Sequence, residues 1–119
     1  MHEMSLMGDI LQLVHEDACS KGFEIIEKIE LVVGEISNAM PEALQMAFAI
    51  FKEQNPHLFS QEAELVIQIE EAQAECVICG LQYHPDYKIA QCPNCGVPSG
   101  KVTSGETFQV LSYEGSGTK

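Results

Sequence analysis

Four cysteines in two short pairs are the residues best equipped for chemistry. They read Cys76-Val77-Ile78-Cys79-Gly80 and Cys92-Pro93-Asn94-Cys95-Gly96, with twelve residues between the pairs. Two residues between cysteines let both sulfurs of a tight turn point at one ion, and the glycine that follows permits a positive φ there. Such a turn also aims backbone N–H groups at the thiolates. Together the two turns supply four sulfurs, which matches the closed tetrahedral all-cysteine site of structural zinc, with Zn–S bonds of about 2.3 Å and no open position for catalysis. The gap is slightly shorter than usual for this signature, but the doubled motif is specific. Three other readings use the same residues: iron in a rubredoxin-like four-cysteine site, two disulfides, and His84 in place of one sulfur.

A second feature with metal chemistry is the start of the chain, Met1-His2-Glu3. A histidine at position 2 is most often solvated. A free α-amine, deprotonated amide nitrogens and the His2 imidazole can nevertheless form fused chelate rings around one ion, and nitrogen ligands in a plane suit Ni2+ or Cu2+. At a helix start the first amide N–H groups have no helical acceptor, so their deprotonation breaks no helical hydrogen bond. The positive helix terminus opposes a cation by about 0.3–1 kcal/mol. Deprotonated amides and Glu3 would offset that.

The elements that must position these residues follow from periodicity. Met4, Met7, Ile10, Leu11, Val14 and Ala18 recur at three- and four-residue steps and predict an amphipathic helix ended by Gly22. Cys19, outside the paired motif, reads as a small buried hydrophobe. From Glu24 to Gly34 the alternation of Ile29, Leu31 and Val33 predicts a strand. Ser37 and Asn38 are potential caps for a second helix, from Pro41 to Glu53, with Leu44, Ala47, Phe48 and Phe51 in one stripe. Ala63 to Ala72 predicts another strand, with Leu65, Ile67 and Ile69 on one face. Strand character returns from Thr107 to Tyr113, so the cysteine unit reads as an insertion between two strands of the main sheet. The Gly115–Lys119 tail is expected to be mobile.

Composition bounds the function. The chain has 119 residues, 45% of them hydrophobic, which suits one domain with a small satellite. Its formal charge is −12, from 18 acidic and 6 basic residues, so phosphate backbones would be repelled, and nucleic acid, a common ligand of zinc ribbons, is not expected. An acidic surface suits a cation cargo or a basic protein partner. No apolar run reaches the roughly 18 residues of a membrane span. Met1 to Lys21 has acidic residues and no continuous apolar core, so reduced cysteines and a cytoplasmic location are expected. No nucleophile–base pair and no glycine-rich phosphate loop stands out, so no enzyme is expected. His15, amid acidic residues, and His57 and His84, in loops, read as solvated side chains.

Taken together, Met1-His2-Glu3, the first helix, the Val32-Val33-Gly34-Glu35 strand end, Ala47-Phe48 in the second helix and the paired cysteine motifs resemble the HypA/HybF family over nearly the whole chain. These are nickel metallochaperones of [NiFe]-hydrogenase maturation. The resemblance implies an α+β fold, a small three-stranded mixed sheet with two helices, carrying an inserted zinc-ribbon-like subdomain. It places a nickel-binding domain at 1–72, a zinc domain at 73–103, and a return strand and tail at 104–119. Met1, His2 and Glu3 match the nickel end, and Cys76, Cys79, Cys92 and Cys95 match the zinc ligands. Implied partners are a HypB-like GTPase and the [NiFe]-hydrogenase large subunit, with urease also served by some members, and the chain is expected as a monomer or weak homodimer. Some members place an aspartate near the start of the second helix; here that segment reads Asn38-Ala39-Met40-Pro41-Glu42.

Overall fold

The computed structural model describes residues 2–85 and 90–117. They form two helices and six strands: α1 (His2–Ser20), β1 (Ile25–Gly34), α2 (Pro41–Gln54), β2 (Phe59–Glu70), β3 (Gln73–Cys76), β4 (Gln82–Tyr83), β5 (Gly100–Ser104) and β6 (Phe108–Ser116). The chain divides into two compact units. One comprises Met1–Val32, Ala39–Gln68 and Gln109–Lys119, and the other comprises Val33–Asn38 and Ile69–Phe108. No described helix is long and apolar enough to cross a membrane.

In the first unit, α1 buries most of the stripe that its spacing predicts: Met7, Ile10, Leu11, Val14 and Ala18 are buried and Met4 is half-buried. Its end is closed by the Gly22 N–H donating to the Cys19 carbonyl and the Phe23 N–H donating to the Ala18 carbonyl, the paired bonds of a Schellman cap. Cys19 is exposed, which corrects the expectation that it is buried: it directly follows the buried Ala18 and so turns about 100° off the apolar stripe. The main sheet has the strand order β2-β1-β6. Ile26 N–H donates to the Leu58 carbonyl and Glu35 N–H to the Glu70 carbonyl, so β1 and β2 run parallel, with α2 as their crossover. Glu24 N–H donates to Ser116 and Gly34 N–H to Thr107, so β6 runs antiparallel to β1 and the sheet is mixed.

Four local expectations change. The helix α2 has Met40 as N-cap with no side-chain cap bond, so neither Ser37 nor Asn38 fills that role. β2 starts at Phe59, ahead of the expected Ala63, because the buried Phe59 ring packs edge-on against Phe48 of α2 with centroids 5.7 Å apart. β6 runs through Gly115 and Ser116, residues expected in a mobile tail; a Cβ at Gly115 would sit 2.7 Å from the Ile25 carbonyl oxygen, so this glycine permits close strand approach. Thr118 and Lys119 lie outside the described residues. Ile69, expected on one face with Leu65 and Ile67, is 54% exposed, since burial along the strand stops at Leu65.

The second unit is built on a small antiparallel sheet, β4-β3-β5. β3 is central, pairing Ala74 with Tyr83 on one side and with Val102 on the other. Two glutamates fasten the chain around it. Glu35 accepts the Ala72 N–H at 2.7 Å and lies 2.8 Å from the His84 ring, while Glu70 accepts the Gly105 N–H at 2.7 Å and the Thr107 hydroxyl at 3.1 Å. These bonds hold both carboxyls below the usual range, the backbone donors Ala72 and Gly105 contributing most.

Candidate metal centres

The two Cys-x-x-Cys segments fold as near-identical turns. In the first, Gly80 takes φ +78° and its N–H donates to the Cys76 carbonyl at 2.9 Å, while the Ile78 and Cys79 N–H groups approach the Cys76 sulfur at 3.4 Å. In the second, Gly96 takes φ +72°, its N–H donates to the Cys92 carbonyl at 2.8 Å, and the Cys95 N–H lies 3.4 Å from the Cys92 sulfur. The left-handed glycine lets the chain double back so that amide donors face sulfur, which stabilises thiolate over thiol.

The turns bring Cys76, Cys79, Cys92 and Cys95 together with all four sulfurs within 4.8 Å of one another. Across the two turns, Cys76 Sγ lies 3.8 Å from Cys95 Sγ, and Cys79 Sγ lies 3.7 Å from Cys92 Sγ. A disulfide needs about 2.05 Å, so the disulfide reading is set aside and all five cysteines are free. A tetrahedral metal with bonds of about 2.3 Å places its sulfurs about 3.8 Å apart, so the cluster has the dimensions of a four-sulfur metal site. Cys76 and Cys92 are buried, whereas Cys79 is exposed and Cys95 half-buried. His84 is engaged by Glu35, and no fifth ligand is needed.

Electrostatics differ around the four sulfurs. The Ser99 hydroxyl, 3.0 Å from Cys76 Sγ, and the Cys79 amide bring the Cys76 thiol down to about 6. The Leu81 amide and the Asn94 side chain lower Cys79. Cys95 is pushed up to about 12, since hydrogen bonding with Cys79 and burial both favour its protonated form. Without a dication four crowded thiolates repel; bound metal removes that penalty. Ser99 has no signal in the sequence, where Pro98-Ser99-Gly100 reads as an ordinary turn.

At the other end of the chain, α1 begins at His2, whose side chain is exposed. Met1 lies outside the described residues. Glu3 is only 7% exposed: its carboxylate turns inward and accepts the Met40 N–H at 3.1 Å, which lowers its pKa. This bond joins the first turn of α1 to the N-cap of α2, within the 38–42 segment, and places a negative charge at a helix N-terminus. Glu42 in the same segment is exposed. Of the remaining histidines, His57 is exposed, and His15 lies beside Cys19.

Comparison with known proteins bears on what this combination does. The family model for HypA, described as hydrogenase/urease nickel incorporation metallochaperone, matches residues 1–115. A hydrogenase maturation factor HypA of Moorella thermoacetica is 33% identical over 97% of this chain and 99% of its own length. One from Aquifex aeolicus is 30% identical over 96% of both chains. Among solved structures, the solution structure of a HypA protein has a TM-score of 0.66 at 28% identity, covering 99% of this chain and 98% of that one. The solution structure of the Ni metallochaperone HypA from Helicobacter pylori has a TM-score of 0.64 at 25% identity, covering 98% of both. Matched by the family model over residues 1–115 and by full-length relatives, the chain belongs to the HypA family of hydrogenase maturation factors, which are nickel metallochaperones and not enzymes.

Proposed function

We propose that this protein binds Ni2+ at its amino terminus and delivers it to the large subunit of a [NiFe]-hydrogenase, while Zn2+ in the four-cysteine site holds the second unit together. The observation that carries the nickel reading is the start of α1 at His2 with an exposed imidazole. The α-amine of Met1, the His2 ring and main-chain nitrogens of His2 and Glu3 are the ligand set. Glu3 contributes its backbone, since its carboxylate is engaged by Met40. The zinc reading rests on the sulfur separations, which fit a tetrahedral ion. In this reading residues 1–72 carry cargo and residues 73–103 are structural, with 104–119 returning to the main sheet. The acidic surface, net −12, suits cationic cargo and basic partner surfaces. A HypB-like GTPase and the hydrogenase large subunit are the partners, in the cytoplasm, with urease maturation proteins a further destination in some organisms.

Metal analysis of the purified chain followed by nickel titration tests this. One zinc per chain and one nickel site lost in His2→Ala are expected. Iron and a red colour would instead indicate a rubredoxin-like electron carrier, and zinc without nickel binding would indicate a zinc-dependent interaction adaptor.

A further inference from the structure

On α1, His15 and Cys19 stand one helical turn apart, and the structure brings their side chains together: Cys19 Sγ lies 3.6 Å from His15 Nε2 and 3.9 Å from Nδ1. Spacing of four residues puts both on one face of a helix. Cys19 is exposed and His15 half-buried, so the pair opens to solvent. A tetrahedral zinc-type ion, with a bond to imidazole nitrogen of about 2.0–2.1 Å and one to sulfur of about 2.3 Å, holds those two atoms about 3.6 Å apart. The separation is right for one ion, but Sγ, nearly equidistant from both ring nitrogens, lies off either lone pair, so a rotamer turn of His15 is needed to aim Nε2 at an ion held by the sulfur.

We propose that His15 and Cys19 form a second, surface metal site: a two-point nitrogen–sulfur clamp for a thiophilic divalent cation of the Zn2+ class, with its other positions open to water. It is separate from the amino terminus, since the stretch of helix from His2 to His15 spans about 20 Å. The helix supplies the preorganisation. Both side chains project from one rigid turn, so binding orders little beyond two rotamers. On binding, the Cys19 thiol gives its proton to solvent and its thiolate becomes a ligand, while His15 binds as neutral imidazole. Gln12 and Glu16, on the adjoining face, are paired with each other at 3.3 Å, and Asp17 is held by Lys21 at 2.8 Å. The Cys–His couple, not the carboxylates, is thus the geometry suited to the ion. With two protein ligands the site would load and unload readily, in contrast to the closed four-cysteine cluster.

This proposal does not depend on nickel binding at His2, and its test is run in a His2→Ala background, in full-length protein already holding one zinc per chain. Alkylation of Cys19 by iodoacetamide is followed by mass spectrometry with and without added Zn2+. Metal bound to the thiolate withdraws it from reaction, so added zinc is expected to slow Cys19 alkylation by about tenfold or more. His15→Ala should abolish that protection while leaving the zinc-free rate of the accessible thiol measurable. A Cys19 rate that zinc does not change would overturn the proposal. So would protection that persists in His15→Ala, which would reduce Cys19 to a lone thiol beside a histidine.

Discussion

In the proposed function Glu3 carries two obligations: its backbone belongs to the nickel-binding terminus, and its carboxylate accepts the Met40 N–H at the start of α2. Glu3→Gln keeps an acceptor oxygen for the Met40 N–H, whereas Glu3→Ala leaves that donor unpaired in a part-buried position. Thermal melts should therefore show a larger loss of stability for Glu3→Ala than for Glu3→Gln; equal losses would mean that the Met40 bond contributes nothing. In the proposed zinc site each sulfur is one corner of the tetrahedron, so Cys79→Ser or Cys92→Ser should lose zinc and make the segment from Glu75 to Lys101 protease-sensitive. Structural zinc supplies about 10–16 kcal/mol to zinc-finger peptides, far more than such a small core can replace. Retained zinc with unchanged protease resistance in both variants would contradict this. The cysteine cluster is legible in the sequence because the chemistry lies in local spacing: each turn is built from five consecutive residues. Ser99 against Cys76 and Glu35 against His84 are not. Those pairings depend on side-chain placement that no short motif records.

Among the elements, α1, β1 and α2 can be read from the sequence because one face of each is buried and hydrophobic period reports that directly. β2 reads short because its first half, Ser60-Gln61-Glu62, is polar at the edge of the sheet, and only Phe59 is buried there. The N-terminus of α2 defeats a search for a local cap because its donor is met by a carboxylate 37 residues away. Gly115 and Ser116 have the composition of a linker, yet backbone pairing with the start of β1 draws them into β6. Two substitutions test the packing of these elements. Leu44 of α2 is fully buried, so Leu44→Ala should cost about 2–5 kcal/mol in urea unfolding. At the end of β1, a Cβ on Gly34 would sit 2.0 Å from the Gly105 carbonyl oxygen, which is backbone and cannot swing aside. Gly34→Ala should cost at least about 1–3 kcal/mol, as overpacking does. A Gly34→Ala protein as stable as the parent would show that this approach is looser than described.

For the molecule as a whole, acid should act on the fold and on cargo separately. Glu3, Glu35, Glu70 and Asp17 all have lowered pKa values, from the Met40, Ala72 and Gly105 amides and from the Lys21 side chain, respectively. A carboxyl with a depressed folded pKa contributes stability that is present above its unfolded value, about 3.9–4.3, and is lost as pH falls through the lower folded value. Urea midpoints should therefore hold from neutrality to about pH 5 and fall below about pH 4; a midpoint that rises on acidification would reverse the sign of this linkage. Nickel should leave earlier. In the proposed site the metal must displace a proton from the terminal amine, so affinity should decline on acidification while the fold is still intact. The most direct test of the account is a nickel titration of the zinc-loaded chain with its native amino terminus, set beside the same chain with a short N-terminal extension. One nickel per native chain is expected, with markedly weaker binding when the amine is moved away from His2 and zinc content and fold unchanged in both. Equal nickel affinity in the two proteins would contradict coordination through the terminal amine.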